Sequence, residues 1–193
     1  MRWLVIALSL VLPAGTASAW TYARDGAPAN AVLLLDGSDV VSAGGQFNAL
    51  GKLEAVVVRH SVIDGSEIWH YVVQDDRDGT TTALTRDIAG TLYAASYHGP
   101  QIGFVTKLSP EDGSEIWRQP VEPRFSSIAV DPNGDLVAVG TKIANGSERM
   151  VVAKYSGASG SELWQYMPPS GFDGPGEGTS VVVNAAGDVF AGG

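Results

Sequence analysis

The chain has 193 residues, with 21 Asp and Glu against 12 Lys and Arg, a formal net charge of −9, and no cysteine. An acidic surface repels nucleic acid and anionic lipid, which attract basic patches. The missing thiols exclude a disulfide framework, a thiol nucleophile, a lipidated N-terminal cysteine and haem attached through C-x-x-C-H, leaving cations, basic peptides and neutral glycans as partner classes.

In chain order, residues 1–19 have the pattern of a secretory signal peptide: a positive start at Arg2, an apolar run from Trp3 to Leu12, and the small cleavage-site residues Ala17-Ser18-Ala19. The run is shorter than the roughly 20 residues a bilayer requires, and no second one follows. The sequence therefore predicts a secreted or periplasmic protein with no membrane insertion after cleavage. Residues 20–193 then form one repeat domain. Trp20-Thr21-Tyr22 repeats Trp69-His70-Tyr71 and Trp164-Gln165-Tyr166, so 20–23 is assigned to a closing outer strand.

Short runs with strand composition, bounded by Gly, Pro, Asn and Asp, follow in groups of four. The first group, 31–73, has Val32 to Leu35, Val40 to Ala43, Ala55 to His60 and Ser66 to Val72. The second, 80–120, has Thr82 to Arg86, Leu92 to Ser96, Phe104 to Leu108 and Ser114 to Trp117. The third, 125–167, has Ser126 to Val130, Asp135 to Gly140, Met150 to Tyr155 and Ser161 to Tyr166. A half group, 178–193, supplies Thr179 to Val183 and Val189 to Ala191. Four strands at a period of 47 to 48 residues describe propeller blades. The expectation is an all-β, β-propeller arc of four-stranded antiparallel blades, about three and a half of them, open and truncated after Gly193.

The period is marked by DGSEIW at Asp64 to Trp69, DGSEIW at Asp112 to Trp117 and SGSELW at Ser159 to Trp164. Four residues before each tryptophan stands Gly65, Gly113 or Gly160, the left-handed residue of a tight hairpin. Three copies at one repeat position assign Trp69, Trp117 and Trp164 to structural blade docking. Strict alternation would send Ile68, Ile116 and Leu163 to the opposite face of each blade, there to seal against the other neighbour. The stretch from Lys107 to Trp117 resembles the tryptophan-docking motif A-x-D-x-x-T-G-x-x-x-W of the quinoprotein-like (PQQ-like) β-propellers, with Ser109 at the motif's Asp and Asp112 at its Thr. The resemblance implies a propeller scaffold. In that family's enzymes it implies a quinone cofactor, calcium and often a vicinal cysteine pair, which this chain lacks; the family also holds non-enzymatic assembly scaffolds, and the chain looks closer to those.

In such a fold the hairpins joining first to second and third to fourth strands share one face, and these are tight. The other face is expected to carry long, diverse loops: 45–54, 97–103 and 142–149 within blades, and 74–79, 121–124 and 168–178 between them. Diverse loops on a rigid frame are where recognition concentrates. Asp75, Asp76 and Asp78, with His98, Asp173 and Glu177, are the candidate binding residues there. Their spacing matches no EF-hand or His-metal pattern, and no G-x-S-x-G elbow or dinucleotide loop is present, so no catalytic, cofactor or metal residue is assigned. The sequence favours a non-enzymatic scaffold for a protein or glycan partner; the alternative is the N-terminal part of a quinoprotein-like oxidoreductase or a hydrolase with its catalytic residues in other blades.

Overall fold

A computed structural model describes residues 6–7, 21–22, 28–35, 39–99, 102–144, 146–169 and 176–193. Every regular element among them is a strand. Ile6–Ala7 (β1) and Thr21–Tyr22 (β2) pair antiparallel as a short ribbon; Trp20 and the rest of residues 1–19 lie outside the described residues.

Blade 1 is the meander β3 (Ala29–Leu35), β4 (Asp39–Phe47), β5 (Leu53–Ser61) and β6 (Glu67–Val72). Blade 2 repeats it with β7 (Gly79–Arg86), β8 (Leu92–His98), β9 (Ile102–Leu108) and β10 (Glu115–Val121). Blade 3 does so with β11 (Arg124–Val130), β12 (Leu136–Ala144), β13 (Ser147–Tyr155) and β14 (Glu162–Tyr166). β15 (Ser180–Val183) and β16 (Val189–Gly192) form the half blade. The fold is the all-β open arc of propeller blades that the repeat predicts.

Both faces of the middle sheets are buried because alternate residues serve opposite neighbours. On β12, Leu136 and Ala138 join Tyr93, Val105 and Phe125 in the core between blades 2 and 3, whereas Val137 and Val139 pack against Val181 of the half blade. The core between blades 1 and 2 joins Val41, Val57 and Trp69 to Leu92, Ala94 and Leu108. The first strand of each complete blade carries a bulge where it meets the next blade. The bulge residues reach across: Asn30 donates to Thr81 O at 2.8 Å, and the Thr82 hydroxyl donates to Phe125 O at 2.6 Å.

The outer strands lock the stack. The Trp69 indole lies over Gly113 of the next blade, where an added Cβ would stand 2.6 Å from ring atom Cε3, and Nε1 donates to Pro110 O at 3.1 Å. Trp117 lies over Gly160 in the same way, its Nε1 donating to Gly157 O at 3.1 Å. Both glycines have φ above 70°, so they satisfy two demands at once: a left-handed backbone and no side chain beneath the ring. Trp69 is 8% exposed, Trp117 is partly buried, and Trp164, facing the half blade, is 39% exposed.

The structure corrects the expected sealing role of Ile68, Ile116 and Leu163, all about half exposed. Arg59 pairs with Trp69 but His60 with Glu67; Lys107 pairs with Trp117 but Leu108 with Glu115; Lys154 pairs with Trp164 but Tyr155 with Glu162. Each aliphatic is therefore the extra residue of a β-bulge, which breaks the alternation and turns it outward.

Gly113→Ala is expected to cost about 2–4 kcal/mol, combining left-handed strain with overpacking under the indole. Gly134→Ala, at φ 83° with open space around it, should cost only the backbone part, about 1–2 kcal/mol. Trp69→Ala should cost about 3–5 kcal/mol. Urea unfolding of the three variants measures all of these, and equal losses for the two glycine variants would contradict the docking geometry.

Candidate functional site

The strands run on into most of the segments expected to be long loops. β4 and β5 continue to Phe47 and from Leu53, β8 and β9 to His98 and from Ile102, and β12 and β13 to Ala144 and from Ser147. The segments between them are 48–52, 99–101 and 145–146, of which 100, 101 and 145 lie outside the described residues. Polar residues such as Gln46, Glu54, Lys142 and Arg149 read as loop but sit in register on paired strands, because a sheet end projecting beyond the blade core needs no apolar side chains. The 74–79 connector remains a loop, running 73–78.

That connector is fixed to its surroundings. Arg77 grips Asp75 through Nε at 2.8 Å and Nη2 at 2.6 Å, and the Arg77 amide donates to the same carboxylate at 2.9 Å. The guanidinium bonds hold Asp75 well below the ordinary carboxylate range, against the opposing effect of burial. Asp78 accepts from Leu53 N through Oδ1 and from Gly99 N through its carbonyl, both at 2.9 Å. Lys52 Nζ donates to Asp75 O, and Arg118 Nη1 reaches Gln74 O at 3.3 Å. Of the three aspartates expected to face a ligand, Asp75 and Asp78 thus organise the loop and Asp76 faces solvent. Among the described residues no group of three or more His, Asp or Glu could hold a metal ion.

His98 lies beneath this loop, 1% exposed, its ring edge-on to Phe104 with centroids 5.2 Å apart. Burial pushes its imidazole below the ordinary 6.5, while the Asp75 carboxylate pulls the other way. It is a packing residue. Glu177 is exposed at the other end of the arc, where its carbonyl abuts Gly193. Asp173 lies outside the described residues.

A feature with the shape of a binding site lies farther along the same face, between blades 2 and 3. A hollow of about 580 Å³ is lined by Ile102, Glu122, Arg124, Lys142, Ile143 and Glu148, with Thr141. Ile143 is 51% exposed. Lys142 pairs with Glu122 at 2.6 Å, and the Arg124 guanidinium stacks over Tyr97, 4.6 Å from its centroid. Lys142 bonding to Glu122 holds that carboxyl below its usual value. All of the lining residues but Thr141 fall in the expected recognition-face loops 97–103, 121–124 and 142–149, though none is among the named candidates; in the structure they stand on strands β9, β11, β12 and β13 and on a two-residue connector.

Because the folded-state value of His98 lies below the unfolded one, the protein's preference for neutral imidazole favours folding fully above the unfolded pKa. That contribution is lost as pH falls through it. The melting temperature should therefore drop between about pH 7.5 and pH 5.5. His98→Gln should flatten the difference; an unchanged slope would show that His98 titrates as an open histidine.

No curated protein matches the chain. The family model described as outer membrane protein assembly factor BamB matches residues 101–192. Among solved structures, the chain is similar to a protein of unknown function from Bacteroides caccae, with TM-score 0.59 and 13% identity over 88% of this chain and 55% of that one. It is also similar to the quinohemoprotein alcohol dehydrogenase of Comamonas testosteroni, with TM-score 0.52 and 18% identity over 75% of this chain and 21% of that one. It thus spans 55% and 21% of the lengths of these two proteins, and at such identities the likeness is one of fold. Residues 101–192 are thus similar in sequence to the PQQ-like, BamB-type repeat family, and the chain shares the fold of PQQ-like β-propellers.

Proposed function

We propose that the chain is an exported, non-enzymatic propeller scaffold that binds a protein partner across its connector face. The observation that carries this reading is the hollow between blades 2 and 3, lined by the exposed Ile143 and by Ile102 together with Glu122, Arg124, Lys142 and Glu148. Exposed apolar side chains beside charges of both signs are a combination that protein interfaces use. A glycan site would instead present an open aromatic platform, and among the described residues no aromatic lines this hollow. Its lining rests on paired strand ends and on short connectors, so little ordering cost accompanies binding. Export is supported by the basic, apolar, small-residue order of 1–19. A role in assembling other proteins at the cell envelope is supported by the description of the matched family.

The test places a photo-crosslinking residue at Ile143, or at Ile88, which is 105% exposed on the turn face, in cells that export the protein. Discrete adducts are expected from position 143, lost when Lys142→Glu reverses the charge beside it, and none from position 88. Adducts of equal yield from both positions would overturn the assignment of the connector face.

A further inference from the structure

The two junctions between complete blades are built alike except at one pair of positions. At the first, Tyr71, two residues after Trp69, donates its hydroxyl across the seam to Glu115, two residues before Trp117. The same offsets at the second junction fall on Gln119, two after Trp117, and Glu162, two before Trp164. Gln119 brings no ring. Where the Tyr71 phenol stands at the first junction, the second has a recess of about 200 Å³, lined among others by Gln119, Val121, Pro123, Tyr155, Glu162 and Gln165. Both blades that bound it are four-stranded sheets.

The recess holds polar groups that the fold does not answer. Among the described residues nothing donates to the Glu162 carboxylate, whose counterpart Glu115 receives Tyr71. Tyr155 occupies the position that Leu108 holds one blade earlier, each opposite the glutamate of its own docking hairpin. Its side chain is 1% exposed and packs edge-on to Phe125, with centroids 6.0 Å apart, yet its hydroxyl has no hydrogen-bond partner. A desolvated hydroxyl left unpaired is costly, and native interiors seldom keep one. Burial, with the Glu162 charge, raises this phenol far above its ordinary pKa, so it stays protonated and able to donate. Of the charged side chains in the lining, Glu122 and Lys142 pair with each other at 2.6 Å and Glu162 is left over, which suits a neutral donor and opposes an anion. A cavity of roughly 150 Å³ holds benzene, so the recess has room for one substituted ring.

We propose that this recess is a binding site for a phenol, whose ring takes the place that Tyr71 fills at the first junction and whose hydroxyl donates to Glu162. The Tyr155 hydroxyl is the donor left for the ligand's oxygen. The phenol has two sources, a free small molecule or a tyrosine side chain of a partner. Glu122 and Lys142 line both the recess and the neighbouring hollow, so the second source rests on the reading of the connector face; the site itself does not.

The test titrates the full chain with p-cresol, toluene and N-acetyltyrosinamide while following the side-chain amide resonances of Gln165 by NMR. Saturable shifts are expected with p-cresol, with toluene binding at least tenfold more weakly for want of the hydroxyl. Glu162→Ala, at an exposed position, should weaken p-cresol at least fivefold. Gln119→Tyr rebuilds the first junction's contact from within, and should abolish binding and raise the melting temperature. N-acetyltyrosinamide binding as well as p-cresol assigns the ring to a partner's tyrosine; p-cresol binding alone assigns it to a free phenol. No saturable shift with p-cresol, toluene binding equally well, or binding that survives Gln119→Tyr would each overturn the proposal, as would a lower melting temperature for that variant, which would show that no ring fits. None of these results depends on crosslinking from position 143.

Discussion

The stack depends on one contact: an indole laid across a glycine that the neighbouring hairpin has already forced into the left-handed region. The turn needs φ above zero, and the ring needs a surface without Cβ, so one residue type answers both. The pyrrole N–H then finds a carbonyl on the same turn, which satisfies a donor that would otherwise be desolvated beneath the next blade. Because the cation across the strand donates to the same oxygen, the contact fixes the distance between blades and their rotation together. The sheets pack as they do because their outer corners are pinned.

Repetition does not make the junctions equal. At the first, the Tyr71 hydroxyl donates to Glu115 of the next blade, and burial, with that carboxylate, raises the phenol far above its ordinary pKa. At the second, the position of Tyr71 is taken by Gln119 and that of Glu115 by Glu162. The shorter amide leaves a cavity of about 200 Å³ that both residues line together with Tyr155. The same pair of positions thus gives a closed seam in one place and a hole in the next.

The order of strands, the hairpin glycines and the docking tryptophans were legible because each follows from a local requirement repeated three times. The fate of Ile68, Ile116 and Leu163 was not, because a bulge is a property of two strands in register and leaves no mark in one strand's alternation. The limits of β12 and β13 were missed for a related reason. Lys142 and Arg149 are directly paired, yet a charged pair on a projecting hairpin has loop composition. The residues around Ile143 were placed on the expected recognition face but as a loop, so the rigid sheet end that brings them together was not legible.

The acidity of the chain also takes its meaning from the turns. Asp87 and Asp131 each accept two backbone amides of the hairpin they open, at 2.8–2.9 Å, and Asn184 does the same in the half blade. In the docking hairpins Asp64 and Asp112 accept from Ser66 and Ser114, and the Ser109 and Ser114 hydroxyls hold Asp112 down to about 2. Asp39 closes on Arg59, Asp75 on Arg77 and Asp131 on Lys154. An aspartate is the residue that both initiates such a turn and pairs with the cation beside the next tryptophan. The acidic side chains named here are therefore structural parts of the blade, whereas the mixed set around Ile143, with both signs together, is the charge that the proposed partner would read.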